Sequence, residues 1–288
     1  MPRGRLGGDR ADGWHRGDGA GGAGRAGVWG TAAGFAGVAF VAAGVLGAVQ
    51  PGTGVPEEVV QLTQFGPALA VGALALCRPR RTRGLLRGPG TGSGAGAGLL
   101  GGAGLLGAAG LIVALTVLGY CAVGGEARFT PPGSLRHPFA LIAVAQLVGA
   151  CGEEVGWRCF LQPLLRTRLG TVASSVAVGV LWGAWHVPVF GRAPAYAAGF
   201  LVATVAMSVV LGVALEGTGG WRRLLLAGGF HTLVNLGLLL FLDEESGAAG
   251  PMVCFGLSCL AVAAAVVALR AGGRATGAVG GPATLHGT

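Results

Sequence analysis

The sequence predicts an all-α protein, a polytopic transmembrane helical bundle of about eight spans with both termini in the cytoplasm (N-in/C-in). Three observations carry this. Charged residues make up 11% of the 288, less than half the roughly 25% with which a soluble domain covers its surface. Mean hydropathy is +0.67. The 59 glycines lie with alanine in long apolar runs, the small residues that let helices approach closely in lipid. Soluble enzymes and disordered polar chains are excluded on this composition. The six cysteines show no CxxC and no metal-ligand spacing, so they read as small packing residues rather than a disulfide framework.

Crossing the hydrocarbon takes about 20 apolar residues. The runs that meet this are 27–49, 59–77, 96–119, 138–163, 171–190, 195–215, 222–241 and 251–270. The second is the weakest, because Gln61, Gln64 and Pro67 interrupt it. The third carries Gly94, Gly98 and Gly102 at four-residue spacing. Residues 1–26 form a polar, disordered cytoplasmic tail and 271–288 a second disordered tail. The tail is no secretory signal, since the apolar run after it exceeds an h-region of about 7–15 residues.

Every basic residue is arginine, and their placement sets the orientation. With the N-terminus inside, the cytoplasmic segments hold the tail arginines, Arg78, Arg80, Arg81, Arg83 and Arg87, then Arg166 and Arg168, Arg222 and Arg223, and Arg270 and Arg274. The outer connections keep Arg128, Arg136 and Arg192, with the acids Glu57, Glu58, Glu126, Asp243, Glu244 and Glu245. The net charge of +8 therefore serves the inner leaflet, and no nucleic-acid partner is implied.

A charge at the bilayer centre costs at least about 2.5–3.5 kcal/mol, so each one asks for a reason. Polar groups cluster in three spans: Glu153, Glu154 and Arg158 in the fourth, Trp182 and His186 in the fifth, His231 and Asn235 in the seventh. Glu154 and Arg158 are i,i+4 and can pair along one face. Glu153 is turned by about 100° and free to point elsewhere. His231 with Asn235, and Trp182 with His186, share faces in the same way. Two imidazoles and an unpaired carboxylate from three helices can hold a water molecule or a metal ion. A desolvated Glu beside a water can act as general base, and an imidazole or amide can stabilise an oxyanion. Gln146, Thr204 and Ser208 read as interhelical hydrogen-bond partners, Trp157 and Trp185 as packing aromatics, and Glu216 as a solvated acid at a span end. Residues 27–137 supply transmembrane helices and show no chemistry.

Glu-Glu-x-x-x-Arg, aromatic-x-x-x-His and His-x-x-x-Asn on separate membrane helices resemble the CPBP (Abi) family of intramembrane proteases. That family includes CAAX prenyl endopeptidases and bacteriocin-processing or self-immunity proteins. The resemblance covers 138–241, leaving 242–270 as a last transmembrane helix. It departs at Trp182, where the motif usually opens with Phe. The resemblance implies that Glu153 activates the attacking water and His186 holds that water. It also implies that His231 and Asn235 stabilise the oxyanion, while Glu154 and Arg158 shape the site or Arg158 meets a substrate carboxylate. The family carries a metalloprotease label, and Glu153, His186 and His231 form one candidate set for a divalent metal such as zinc. A metal-free glutamate mechanism is the alternative, and no His-Glu-x-x-His helix is present. The expected activity is hydrolysis of a peptide bond in a membrane-associated protein or peptide, cut near the cytoplasmic side. The absence of lysine and the Gly/Ala/Arg bias point to a GC-rich coding sequence and a bacterial plasma membrane. The competing readings are a non-catalytic membrane scaffold or immunity protein and a proton-coupled transporter; the latter predicts an internal repeat that the three motifs lack.

Overall fold

In hydrocarbon an unpaired peptide group costs several kcal/mol, and a helix satisfies its own, so the apolar runs fold as helices. The computed structural model describes residues 18–88, 95–242 and 247–279, and these contain no strand. Helix α1 is Asp18–Thr53, and a 3-10 turn at Leu62–Phe65 leads into α2, Gly66–Cys77. Next come α3, Pro79–Arg87, and α4, Ala95–Ala122. Helix α5, Phe139–Gly156, continues through a π-helical segment, Trp157–Leu161, into α6, Gln162–Arg166. Helix α7 is Thr171–Trp185, followed by a 3-10 turn at Val187–Gly191. The chain closes with α8, Pro194–Ala214, α9, Gly220–Phe241, and α10, Ala249–Val279.

Six apolar stretches are long enough to cross a bilayer: Gly27–Thr53, Gly101–Ala122, Phe139–Arg166, Pro194–Ala214, Gly220–Phe241 and Ala249–Gly272. The second and fifth expected spans are shorter, Leu62–Cys77 and Thr171–Trp185. At about 1.5 Å per residue neither reaches across the roughly 30 Å of hydrocarbon. Their ends have local causes. Pro188 has no N–H to continue the α7 ladder, and His186 already leaves helical geometry at φ −79, ψ 61. Gln61 is extended, and Pro67 occupies the first turn of α2.

Helix α1 packs along α2, α5 lies against α2 and α9, α4 against α9 and α10, and α8 runs between α7 and α10. Small residues set the close crossings. On α5 a Cβ at Gly149 would strike the Gln64 side chain, and one at Gly152 would lie 2.9 Å from the Phe65 ring. At the α8–α10 crossing, a Cβ on Gly256 would lie 2.6 Å from the Gly199 carbonyl oxygen. Of the spaced glycines in the third run, Gly102 meets Leu226, while Gly94 lies outside the described residues.

The arginine clusters gather at one end. Arg78 donates to Thr31 at 3.0 Å. Gly88, at φ +67, ends α3 so close to Gly219 that a Cβ would sit 2.9 Å from its Cα. Glu216 is no freely solvated acid: it accepts from Arg166 at 2.5 Å, from Thr171 at 2.9 Å and from Arg270. At the other end Glu58 meets Arg136 at 3.4 Å and His137 at 3.5 Å, and Thr130 N–H donates to the Leu240 carbonyl. The outer acids Asp243, Glu244 and Glu245, and the tails before residue 18 and after 279, lie outside the described residues. Large apolar side chains such as Val41, Leu76, Leu118, Val144 and Leu257 face outward, as on an integral membrane protein whose solvent is lipid.

Candidate active site

The last turn of α5 and the π-helical segment after it bury three charges: Glu153, Glu154 and Arg158 are 2%, 0% and 1% exposed. Such π segments recur at functional sites. Here the segment drives Trp157 edge-on against Phe35 and Trp185, at 5.4 and 6.0 Å between ring centres, and Phe160 onto Phe35.

Neighbouring residues on a helix point about 100° apart, so the two carboxylates meet different partners. Glu154 is 3.2 Å from Arg158 Nε, and its other oxygen accepts from His231 Nδ1 at 3.1 Å. Because a carboxylate only accepts, that contact places the Nδ1 proton on His231. Glu153 makes no ion pair among the described residues. Its Oε2 accepts from Trp182 Nε1 at 2.7 Å, and its Oε1 accepts from Gln64 Nε2 at 3.3 Å.

Trp182 is the hub of the arrangement. The Arg158 guanidinium lies over its ring, 4.9 Å from the centroid. The rings of His231 and His186 stand edge-on to it at 5.2 and 6.3 Å. His186 Nδ1–H donates to the Trp182 carbonyl at 2.9 Å, which leaves its Nε2 as the outward nitrogen. Trp185 and Phe200 enclose the same imidazole at 4.9 and 4.8 Å. Asn235 Nδ2 donates to Gln146 Oε1 at 3.2 Å.

Several pairings follow the sequence and others depart from it. Glu154 and Arg158 pair as their spacing implies. His231 and Asn235 share a face yet divide, one reaching Glu154 and the other Gln146. His186 sits beyond the end of α7 rather than on it. Ser208 crosses to the Ser175 carbonyl at 2.6 Å, whereas the Thr204 hydroxyl turns back to Leu201 on its own helix. Gln64, taken as a mere interruption of the second run, is buried and donates to Glu153, so the N-terminal half of the chain does reach the site. Its signal was a polar amide in a span. That of Trp182 was an indole N–H needing an acceptor in apolar surroundings.

The metal candidates do not assemble. Among the described residues, no group of three or more His, Cys, Asp or Glu side chains is placed to hold a metal ion. Both imidazoles engage through Nδ1 and keep Nε2 available, as a metal-ligating histidine would, yet with Glu153 they are not gathered closely enough to share one ion. The arrangement does not fit a three-ligand zinc set, and no step below runs through one.

Residues 135–237 match the family model described as type II CAAX prenyl endopeptidase, Rce1-like. Lysostaphin resistance protein A of Staphylococcus aureus strain bovine RF122 / ET3-1 is 27% identical over 135 residues, which cover 47% of this chain and 31% of the relative. The same protein from strain Newman matches at 27% over 135 residues, covering 47% of this chain and 30% of the relative. The chain thus spans about a third of the length of the curated relatives it matches. The matched segment contains all three polar clusters.

Proposed function

We propose, from the match of residues 135–237 to the Rce1-like CAAX protease family model, that this protein is an intramembrane endopeptidase whose general base is Glu153. The observation that carries the reading is the unequal treatment of the two carboxylates. Glu154 is tied to the Arg158 cation and to His231. Glu153 is equally buried but is held only by two neutral donors, which leaves it as the carboxylate available to a water molecule.

In this reading Glu153 takes a proton from water as the oxygen attacks the peptide carbonyl. His186 orients that water through Nε2, the nitrogen its backbone contact leaves free. His231 and Asn235, from neighbouring turns of α9, stabilise the oxyanion. Glu153 then returns the proton to the amine as the C–N bond breaks, so no proton is gained or lost over the cycle. Arg158 and Glu154 hold Trp182 and His231 in place. The substrate is a membrane-associated protein or peptide, and the setting is a bacterial plasma membrane, supported by the Staphylococcus relatives.

The test is turnover of the reconstituted full chain on membrane-anchored peptide libraries. Glu153→Gln should cut the rate by about 10²–10⁴-fold, the usual worth of a general base, and unchanged turnover would overturn the reading. The relatives are named for lysostaphin resistance, which favours one second reading, a non-catalytic membrane scaffold or immunity protein. It predicts that a Glu153→Gln, His231→Ala double variant keeps the cellular phenotype.

A further inference from the structure

The reaction needs water, and the fold grades access to the site along the bilayer normal. Toward the arginine-rich end the site is floored by Trp157, Phe160, Leu161, Leu164 and Phe35, each at most 1% exposed. The polar residues on the far side of Glu153, namely Gln146, Asn235 and His186, are all half-buried. At the arginine-rich end a cavity is lined by Arg158, Gln162, Arg166 and Arg223, but Glu153, His186 and His231 do not line it; among the polar residues around Glu153, exposure rises toward Gln146, Asn235 and His186.

Connectivity identifies that direction. Helix α7 starts at the arginine-rich end, where Thr171 donates to Glu216, and reaches Trp185 about 22 Å away at 1.5 Å per residue. His186 thus stands at the far end of a helix that stops inside the bilayer. Helix α2 mirrors it: Cys77 abuts the arginine-bearing α3, and the turn carrying Gln64 lies at the opposite end. Above both short helices run irregular chain at 54–61 and the turn Val187–Gly191. Non-helical backbone at membrane depth persists where protein buries it or where it lines a water-filled cavity. Val187 and Phe190 in that turn are 60% and 53% exposed.

We infer that water and substrate enter from the arginine-poor end, which the positive-inside rule places outside the cytoplasm. The substrate class is then a peptide segment displayed on the outer face of the membrane, opposite to the cytoplasmic-side cut expected from sequence. The access route stands on geometry and charge placement alone; the substrate class rests on the protease reading above.

Two measurements on the full chain separate these layers. In a chain whose six cysteines are replaced by serine or alanine, Gln146→Cys is exposed to a charged, membrane-impermeant methanethiosulfonate in intact cells and in inside-out vesicles. Labelling from the outer face, lost when the reagent is confined to the inner face, supports the inference; labelling from the inner face alone overturns it. Val187→Cys repeats the test should Gln146→Cys not fold. The second measurement displays a randomised peptide beside a single anchor helix, on the outer or the inner face. Glu153-dependent cleavage of the outer reporter alone supports the substrate class, and cleavage of the inner reporter alone overturns it while leaving the protease reading intact. Outer labelling with neither reporter cut overturns the protease reading and leaves the access route standing.

Discussion

The surroundings of Glu154 form a closed electrostatic unit, and those of Glu153, one residue earlier, do not. On one side of α5 a carboxylate, a guanidinium and an imidazole neutralise one another with no exposed charge. On the other side a carboxylate is held only by an indole and an amide. The difference teaches how adjacent like charges coexist at membrane depth: one is paired with a buried cation, and the other is held by neutral donors. It also explains Arg158, which removes the charge of Glu154 and braces the ring that holds Glu153.

The comparison can be broken at either carboxylate. Glu153→Gln is expected to lower turnover by about 10²–10⁴-fold while the melting temperature holds. The new amide can accept from Trp182 and donate to Gln64 Oε1, which has no partner among the described residues. A collapse in stability would show that the Glu153 side is structural after all. Next in size, Arg158→Met should cost about 3–5 kcal/mol of stability by leaving Glu154 buried without its cation. Detergent-unfolding curves read this, and an unchanged midpoint would dissolve the closed unit.

Smaller effects sharpen the contrast. Trp182→Phe keeps the ring under Arg158 and deletes only the donor to Glu153, a hydrogen bond to charge worth about 1.5–3 kcal/mol. Turnover should fall by less than in Glu153→Gln, and the melting temperature should drop by less than in Arg158→Met. Gln64→Leu removes the longer contact, worth about 0.5–1.5 kcal/mol, and should slow turnover a few-fold, which would demonstrate that the turn before α2 serves the site. The smallest effect lies outside the membrane. At Glu216 burial pushes the carboxyl up, but hydrogen bonds from Thr171 and Arg166 and the charges of Arg270 and Arg166 outweigh it, holding the group below its ordinary 4.5. That stabilisation is complete above the ordinary value and drains away as pH falls through the lower folded one. Glu216→Gln should therefore flatten the acid limb of a melting-against-pH profile, and an unaltered limb would remove Glu216 from that role.

Legibility followed sequence distance. The Glu154–Arg158 pair was readable because a helix fixes i,i+4 neighbours whatever surrounds them. The fate of His231 and Asn235 was not, since the same spacing places both on one face without saying which residues of α5 they meet. Gln64 lies 89 residues from Glu153, in the half of the chain that showed no chemistry, so no local pattern could join them.

By itself the sequence determined the solvent and the helices, because scarcity of charge and apolar length act through composition and local geometry, and its arginines gather at one end of the bundle as their spacing between runs implies. It also determined which polar residues had to find partners. Only the tertiary structure decided who those partners are. The glycines of α5 let the turn bearing Gln64 close on Glu153, and the early stop of α7 left His186 at a half-open end. Helix crossing, rather than helix formation, therefore assigned one glutamate to a buried ion pair and left the other with neutral donors.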